Sequence, residues 1–269
     1  MLFRLDRYLS ECDASLTRKS AKALLRDGSV CVNGEIVRDA ARKINTDTDV
    51  VTVGGKPLTY VQFRYFTINK PDGVLSASRD LHARTVVDLI DGIGDDFFPV
   101  GRLDRDTDGL LIITNDGALA HELLSPRKHV PKTYLAVCRG TLAEDACDRL
   151  RVGVDLGDFT SAPAGISVLT YDEQDDTSVV AITITEGKFH QVKRMVAAVG
   201  SEVLKLRRVR MGGLWLPKDL APGEYRENDG GELKKELFRE VIRRKDGGDP
   251  EHKVKDDKDD EERLLRSYL

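Results

Sequence analysis

The chain has 269 residues, of which 40% are hydrophobic and 33% are charged, and its formal net charge is −4. This length accommodates one large domain or two unequal ones, and the composition is typical of a globular protein. No apolar run approaches the ~20 residues of a membrane-spanning helix, and the early charges after Met1 do not fit a secretory signal. The four cysteines lack Cys-x-x-Cys pairing, which favours reduced thiols in a cytoplasmic protein.

The charge is distributed unevenly. Between Lys245 and Arg263 the sequence holds nine acidic and five basic residues, so this window alone carries −4 and the rest of the chain sums to zero. Any basic surface must therefore be local. We predict that residues 245–269 form a charged, disordered tail.

The first 58 residues predict two short helices, a hairpin and a linker. Thr17 can cap the second helix, and Gly28 ends it. Asn33-Gly34 predicts the hairpin turn, and the polar residues 45–58 predict the end of this module and the linker. One face of the second helix is basic, with Arg18, Lys19, Lys22 and Arg26. Elements in this order resemble the S4 RNA-binding domain, which implies that the basic face binds RNA. A merely solvated helix face is the alternative.

Residues 59–244 predict a second domain centred on the segment 101–117. Three carboxylates, Asp104, Asp106 and Asp108, alternate ahead of the apolar run 110–113, which predicts a charged loop leading into a buried strand. A calcium-binding EF-hand loop begins in the same way but needs Glu at its twelfth position. Asn115 stands there, so we reject calcium. On composition alone, a solvated acidic turn is the alternative.

The later elements predict further basic sites. Strands are predicted at 65–68, 132–137, 177–185 and 204–210, and helices at 85–90, 118–124, 190–199 and 233–243. Basic residues in the first turn of the helix 190–199 oppose the helix dipole, which indicates an anionic ligand or a carboxylate nearby. The basic alternation in 204–210 predicts a surface that contacts phosphates.

Three segments carry a resemblance to a known family. The segment Gly101–Gly117, with its Gly-Arg-Leu-Asp start and its Thr-Asn-Asp-Gly end, resembles the signature of the RsuA-type bacterial rRNA pseudouridine synthases. The segments 69–73 and 186–195 resemble the first and last motifs of that family. The resemblance implies an α+β fold in which an S4 domain precedes a synthase domain with a mixed, mostly antiparallel sheet flanked by helices. The first motif is mostly structural in the family, so we assign it no catalytic role.

The resemblance also assigns roles to individual residues. Asp104 is implied to be catalytic, Tyr134 to stack on the target base, and Lys193 to pair with Asp104. A core tyrosine is the alternative for Tyr134. We predict that Arg102 holds the space vacated by the flipped base. The remaining predicted RNA contacts are His190, Gln191, Arg194, Arg207 and Arg208.

The implied reaction detaches uracil from C1′ and reattaches it through C5, so we expect no cofactor or metal. The carboxylate must stay ionised beside an anionic backbone, and a contacting lysine favours that form. Asp104 could act as a nucleophile at C1′ or as a base at C2′. The target must be flipped out of its stack.

The motif His-Gln-Val-Lys-Arg-Met looks most like the enzyme for small-subunit rRNA, whose family target is the uridine at position 516. The partner is then ribosomal RNA or a partly assembled small subunit, and we expect a monomer. A large-subunit rRNA enzyme, a non-catalytic ribosome-assembly factor and a metal-dependent nuclease using the three aspartates are the alternatives.

Overall fold

The computed structural model describes residues 1–13, 15–245 and 265–268. The chain divides into two compact units, Met1–Phe63 with Asp91–Asp96, and Arg64–Ile90 with Phe97–Leu269. The helices are α1 Leu5–Cys12, α2 Arg18–Asp27, α3 Gly117–Leu124, α4 Glu144–Val152, α5 Gln191–Ala198 and α6 Gly230–Lys245. The strands are β1 Leu2–Arg4, β2 Val30–Val32, β3 Glu35–Ile36, β4 Lys43–Asn45, β5 Val51–Val53, β6 Lys56–Leu58, β7 Tyr65–Lys70, β8 Phe98–Pro99, β9 Thr107–Thr114, β10 Lys132–Arg139, β11 Gly165–Asp172, β12 Thr177–Ile184, β13 Val203–Met211, β14 Leu214–Trp215 and β15 Tyr225–Asn228.

The first unit has the helices and hairpin that the sequence predicts. The Thr17 hydroxyl accepts a hydrogen bond from the backbone N–H of Ser20 at the start of α2. Gly28 ends that helix in the left-handed conformation, with φ 84°. Asn33 and Gly34 both have positive φ, 53° and 84°, as a tight turn between β2 and β3 requires. These features confirm the predicted capping and turn residues.

The segment 45–58 does close the first module, but its interpretation as a linker is wrong, because residues 51–58 belong to the sheet of the first unit. Strands β5 and β6 form a hairpin around Gly54-Gly55, and β5 pairs antiparallel with β2. Val51 is buried in the same core as Val30 and Val32. The alternation of valine with polar residues is short here, and its apolar face becomes evident only once β2 lies beside it.

The second unit is built on a nine-stranded sheet. Its main order is β11-β12-β10-β13-β9-β7-β15, with β14 beside β13 and β8 beside β9. Every pairing is antiparallel except that of β9 with β13. The predicted α+β class with a mixed, mostly antiparallel sheet is therefore confirmed. Leu110 and Ile112 of β9 pack with α3 and α6 in a core cluster of this unit.

Gly109 is required where the parallel strands meet. It has φ 104°, and a Cβ atom there would lie 2.2 Å from the carbonyl oxygen of Arg208. A side chain would therefore separate β9 from β13. This close approach aligns Thr107 with Leu206 across the two strands.

A disordered tail was predicted for residues 245–269. Residues 246–264 of this segment lie outside the described residues. Residues 265–268 depart from that prediction, because they pack on the sheet. Leu265 is buried in a cluster with Leu135 and Val209, and the Tyr268 hydroxyl donates to the carbonyl of Leu216. Across the described ranges, no helix is both long and apolar enough to span a membrane.

Candidate active site

The loop that carries Asp104 runs from β8 into β9, and its backbone is held from two sides. On one side the Ser76 hydroxyl donates to the Leu103 carbonyl at 2.8 Å and accepts from the Leu103 N–H at 3.0 Å. Both groups are buried. The Asp104 side chain itself is 26% exposed. The carboxylate therefore stands on a fixed backbone while part of its surface reaches solvent.

Lys70 holds the same loop from the other side. Its side chain is fully buried, and its ammonium group donates to the carbonyls of Pro71, Arg105 and Thr107 at 3.0, 3.1 and 2.8 Å. Burial lowers the pKa of Lys70 to about 8. This contact gives the Asn-Lys-Pro segment a physical role, because the last two carbonyls follow Asp104 in the chain. The sequence indicated a turn here but not this bond.

Lys193 lies between two carboxylates. Its Nζ is 3.5 Å from Asp104 Oδ2 and forms a hydrogen bond of 2.5 Å with Asp106 Oδ1. This hydrogen bond is the main reason that the pKa of Asp106 is lowered. The predicted pairing of Lys193 with Asp104 is present in the geometry, but Asp106 is the nearer partner. Asp106 was assigned no role from the sequence, and its alternation with Asp104 in the loop is the feature that could have pointed to it.

His190 approaches the same carboxylate from the start of α5. It is the residue before the helix and has a positive φ of 50°. Its Nε2 lies 3.5 Å from Asp104 Oδ1, and its ring stacks on that of Phe189 with 3.8 Å between centroids. The basic residues at this helix start are thus explained by neighbouring carboxylates, as the dipole argument required.

A cleft of about 60 Å³ opens beside Asp104. Tyr134 of β10 lines it and is 8% exposed. The other lining residues are Arg102, Leu103, Thr107, Ile184, Gly187, Lys188, His190, Gln191, Val192 and Leu206. The structure therefore gathers a carboxylate, an aromatic ring and several cationic groups at one concave place, with Lys193 directly beside the carboxylate. A planar polar molecule fits this chemistry better than an apolar one.

Two residues of α5 that were predicted to contact RNA, Gln191 and Arg194, form hydrogen bonds within the protein. Gln191 is 3% exposed, and its amide donates to Glu186 at 2.7 Å and accepts from the Lys188 N–H at 3.0 Å. Arg194 donates to the Leu156 carbonyl at 2.7 Å and pairs with Asp158. Both side chains fix the loops beside the cleft. Gln191 is too buried for a direct RNA contact, whereas the Arg194 side chain is 30% exposed and its use in RNA binding stays a prediction.

The predicted phosphate-contacting strand is corrected at Arg208. Arg208 is 2% exposed, and its Nε donates to the Leu110 carbonyl at 2.8 Å. Arg207 lies 3.0 Å from Asp108, whose pKa is raised by burial. The reason is topological, because β13 lies between β10 and β9 inside the sheet. Arg208 therefore points into the packed interior, whereas the Arg207 side chain is 31% exposed and its use in RNA binding stays a prediction.

The four basic residues predicted on the first unit are exposed on α2, as a binding face requires. Arg18, Lys19, Lys22 and Arg26 all point to solvent. The helix buries Ala21 and Leu25 on its other side. Their use in RNA binding stays a prediction.

Comparisons with known proteins agree with this geometry. The RNA pseudouridylate synthase family model matches residues 64–198, and the S4 domain model matches residues 3–51. An uncharacterized RNA pseudouridine synthase of Bacillus subtilis is 45% identical over 227 residues, covering 83% of this chain and 94% of its own length. The ribosomal small subunit pseudouridine synthase A of Escherichia coli is 41% identical, covering 83% and 95%. The ribosomal large subunit pseudouridine synthase B of Bacillus subtilis is 36% identical, covering 86% and 94%.

A solved structure is similar over nearly its whole length. The crystal structure of a pseudouridylate synthase matches with a TM-score of 0.59 and 34% identity, covering 87% of this chain and 99% of that one. The fold and the cleft thus define an RNA-modifying enzyme preceded by an S4 domain. The chain belongs to the RNA pseudouridylate synthase family, whose members isomerise uridine to pseudouridine in RNA.

Proposed function

We propose that this chain converts one uridine of small-subunit ribosomal RNA, at position 516, to pseudouridine, with Asp104 as the catalytic carboxylate. The observation that carries the chemistry is the meeting of Asp104, Lys193 and Tyr134 around one cleft. The higher identity to the small-subunit enzyme of Escherichia coli, 41% against 36% for the large-subunit enzyme, supports the target.

In the proposed reaction the C1′–N1 bond of uridine breaks and a C1′–C5 bond forms. N1 gains a proton and C5 loses one, so substrate and product are isomers. Asp104 acts on the ribose, as nucleophile at C1′ or base at C2′. The ammonium of Lys193 at 3.5 Å favours the ionised form of this carboxylate, which the RNA phosphates disfavour.

The surrounding groups hold the flipped nucleotide in this proposal. Tyr134 supplies an aromatic face for the uracil ring, since it lines the cleft. Arg102 is exposed at the rim and takes the space that the base leaves in the RNA. Exposed cations on α2 bind RNA phosphates elsewhere on the substrate.

The substrate in this proposal is free small-subunit rRNA or a partly assembled small subunit in the cytoplasm, and the enzyme acts as a monomer in ribosome biogenesis. The large-subunit rRNA is the second candidate, because a large-subunit enzyme is also similar over 94% of its length. The S4 domain match fits either RNA.

The test joins a map of the modified base to one substitution. Carbodiimide treatment and reverse transcription locate pseudouridines in rRNA from cells with and without the gene. We expect one small-subunit signal to disappear with the gene, and a lost large-subunit signal would overturn the target. Purified Asp104→Asn should make no product while still binding RNA. Asp72→Asn, in an exposed turn of the same unit, is the control. Turnover by the Asp104 variant would refute its catalytic role.

A further inference from the structure

We propose that the free face of Phe189 is a second base-binding site, which stacks on an unpaired RNA base adjacent to the flipped uridine. The proposal rests on the proposed function, because it needs RNA in the cleft. In that function the flipped uridine binds in the cleft beside Asp104 and Tyr134, and the site proposed at Phe189 is separate from it.

The exposure of Phe189 is unusual for an aromatic side chain of this protein. Its side chain is 76% exposed, whereas Tyr171 and Phe63, the next most exposed aromatic residues of the described ranges, reach 45% and 38%. Single exposed apolar residues are common on protein surfaces. Exposure alone therefore does not make Phe189 a binding site, and the evidence for one is its position at the cleft.

Phe189 lies at the rim of the cleft. Its two chain neighbours, Lys188 and His190, both line that cleft. Its ring is stacked on the His190 ring, with 3.8 Å between centroids and 18° between planes. His190 in turn places Nε2 3.5 Å from Asp104. One face of Phe189 is thus covered by a ring that contacts the reactive carboxylate, and the opposite face remains for a ligand.

The aromatic rim is held by its backbone. His190 is fixed in the left-handed conformation, with φ 50°. Gln191 accepts from the Lys188 N–H at 3.0 Å and donates to Glu186 at 2.7 Å, which closes the turn that carries Phe189. The Lys188 ammonium lies 3.5 Å from the centroid of Phe159. A ring fixed in this way loses little conformational freedom when a ligand stacks on it.

A nucleobase is the ligand that this surface fits. Extruding one base from an RNA strand leaves a face of the neighbouring base without its stacking partner. Aromatic side chains take such bases whatever their sequence, because every base has a π-face. Cationic Lys188 and Arg102 stand at the same cleft, and these charges complement the phosphates on either side of the stacked base. An apolar protein partner would gain nothing from them.

The test measures RNA affinity in a protein that cannot turn over. Full-length chains carrying Asp104→Asn, with and without Phe189→Leu, are titrated against the RNA fragment on which the wild type forms pseudouridine. Phe189→Leu should weaken binding by about 5- to 150-fold, the effect of losing one stacked base. Phe189→Tyr should keep the affinity within about 2-fold, since it retains the ring. Tyr171→Leu, on the edge strand β11, is the matched control and should change nothing.

A second arm identifies the ligand. RNA fragments with an abasic nucleotide on the 5′ or the 3′ side of the target uridine are titrated with both Asp104→Asn proteins, with and without Phe189→Leu. At one of these positions the abasic nucleotide should weaken binding to the protein that retains Phe189 and have little effect on the Phe189→Leu protein. This is expected because the abasic nucleotide and the substitution remove the same stacking contact. Additive losses at both positions, equal affinity of Phe189→Leu and the parent, or an altered oligomeric state without an RNA effect would each overturn the proposal. Its failure is distinguishable from failure of the proposed function, because product formation by the wild type is measured separately.

Discussion

Replacing Lys70 with methionine tests whether the buried ammonium shapes the loop that carries Asp104. The substitution keeps most of the volume of the side chain and removes three hydrogen bonds, to the carbonyls of Pro71, Arg105 and Thr107. Because the side chain is fully buried, water cannot replace the lost donor without opening the core.

The magnitude follows from two opposing effects. Hydrogen bonds from a charged donor contribute about 1.5–3 kcal/mol each. Burial of the ammonium opposes them, since lowering the pKa of Lys70 from 10.5 to about 8 corresponds to about 3 kcal/mol. The balance predicts that Lys70→Met lowers the free energy of unfolding by about 2–6 kcal/mol. The rate of pseudouridine formation should fall by about 100-fold, because a loop displaced by about 1 Å misplaces the carboxylate.

The same residue predicts how stability depends on pH. Between about 8 and 10.5 the unfolded chain keeps the proton that the folded chain has lost from Lys70. The free energy of unfolding of the wild type should therefore rise with pH in this window, by up to about 3 kcal/mol relative to Lys70→Met. Urea unfolding of both proteins across the window measures the difference, with the exposed Lys235→Met as control. A difference that does not change with pH, or a Lys70→Met protein as stable as the wild type, would refute the reasoning.

Two further predictions concern charge. Lys193→Met removes the ammonium that lies 3.5 Å from Asp104 and should lower the single-turnover rate constant at saturating enzyme by about 100-fold, with RNA affinity nearly unchanged. Weaker RNA binding with an unchanged rate constant would contradict this prediction. Exposed and buried arginines should separate in salt titrations of RNA binding. Arg26→Gln should reduce the slope of log K against log salt by about 0.7–0.9, whereas Arg208→Met should leave that slope unchanged and lower Tm, because Arg208 is buried; the reverse pattern would show that the two roles are wrongly assigned.

Local signals in the sequence were enough to predict the parts of the fold that form within a few residues. The cap at Thr17, the stop at Gly28 and the turn at Asn33-Gly34 depend on backbone preferences of those residues alone. The buried strand after Asp104 also follows from its apolar run, and it is β9 in the structure. The resemblance to the family added the pairing of Asp104 with Lys193, which no local pattern contains.

The features that the sequence could not predict depend on contacts between residues far apart in the chain. Alternating arginines look the same on an exposed strand and on an interior one, so the burial of Arg208 became clear only when β13 was found between β10 and β9. The bond from Lys70 to the Arg105 carbonyl joins residues that are 35 positions apart. The bond of Asp106 could not be predicted for the same reason, since its partner Lys193 is 87 positions away.

The single parallel pairing in the sheet also sets when during synthesis this protein can become active. Strand β9 follows directly after Asp104, yet its neighbour β13 ends only at Met211. Parallel strands cannot close through a short hairpin, and contacts between distant parts of a chain form late. A nascent chain therefore carries Asp104 without Lys193 or the cleft-lining Leu206 until most of its length has left the ribosome. Under the proposed mechanism, a chain at that stage lacks the lysine beside Asp104 and should not form pseudouridine.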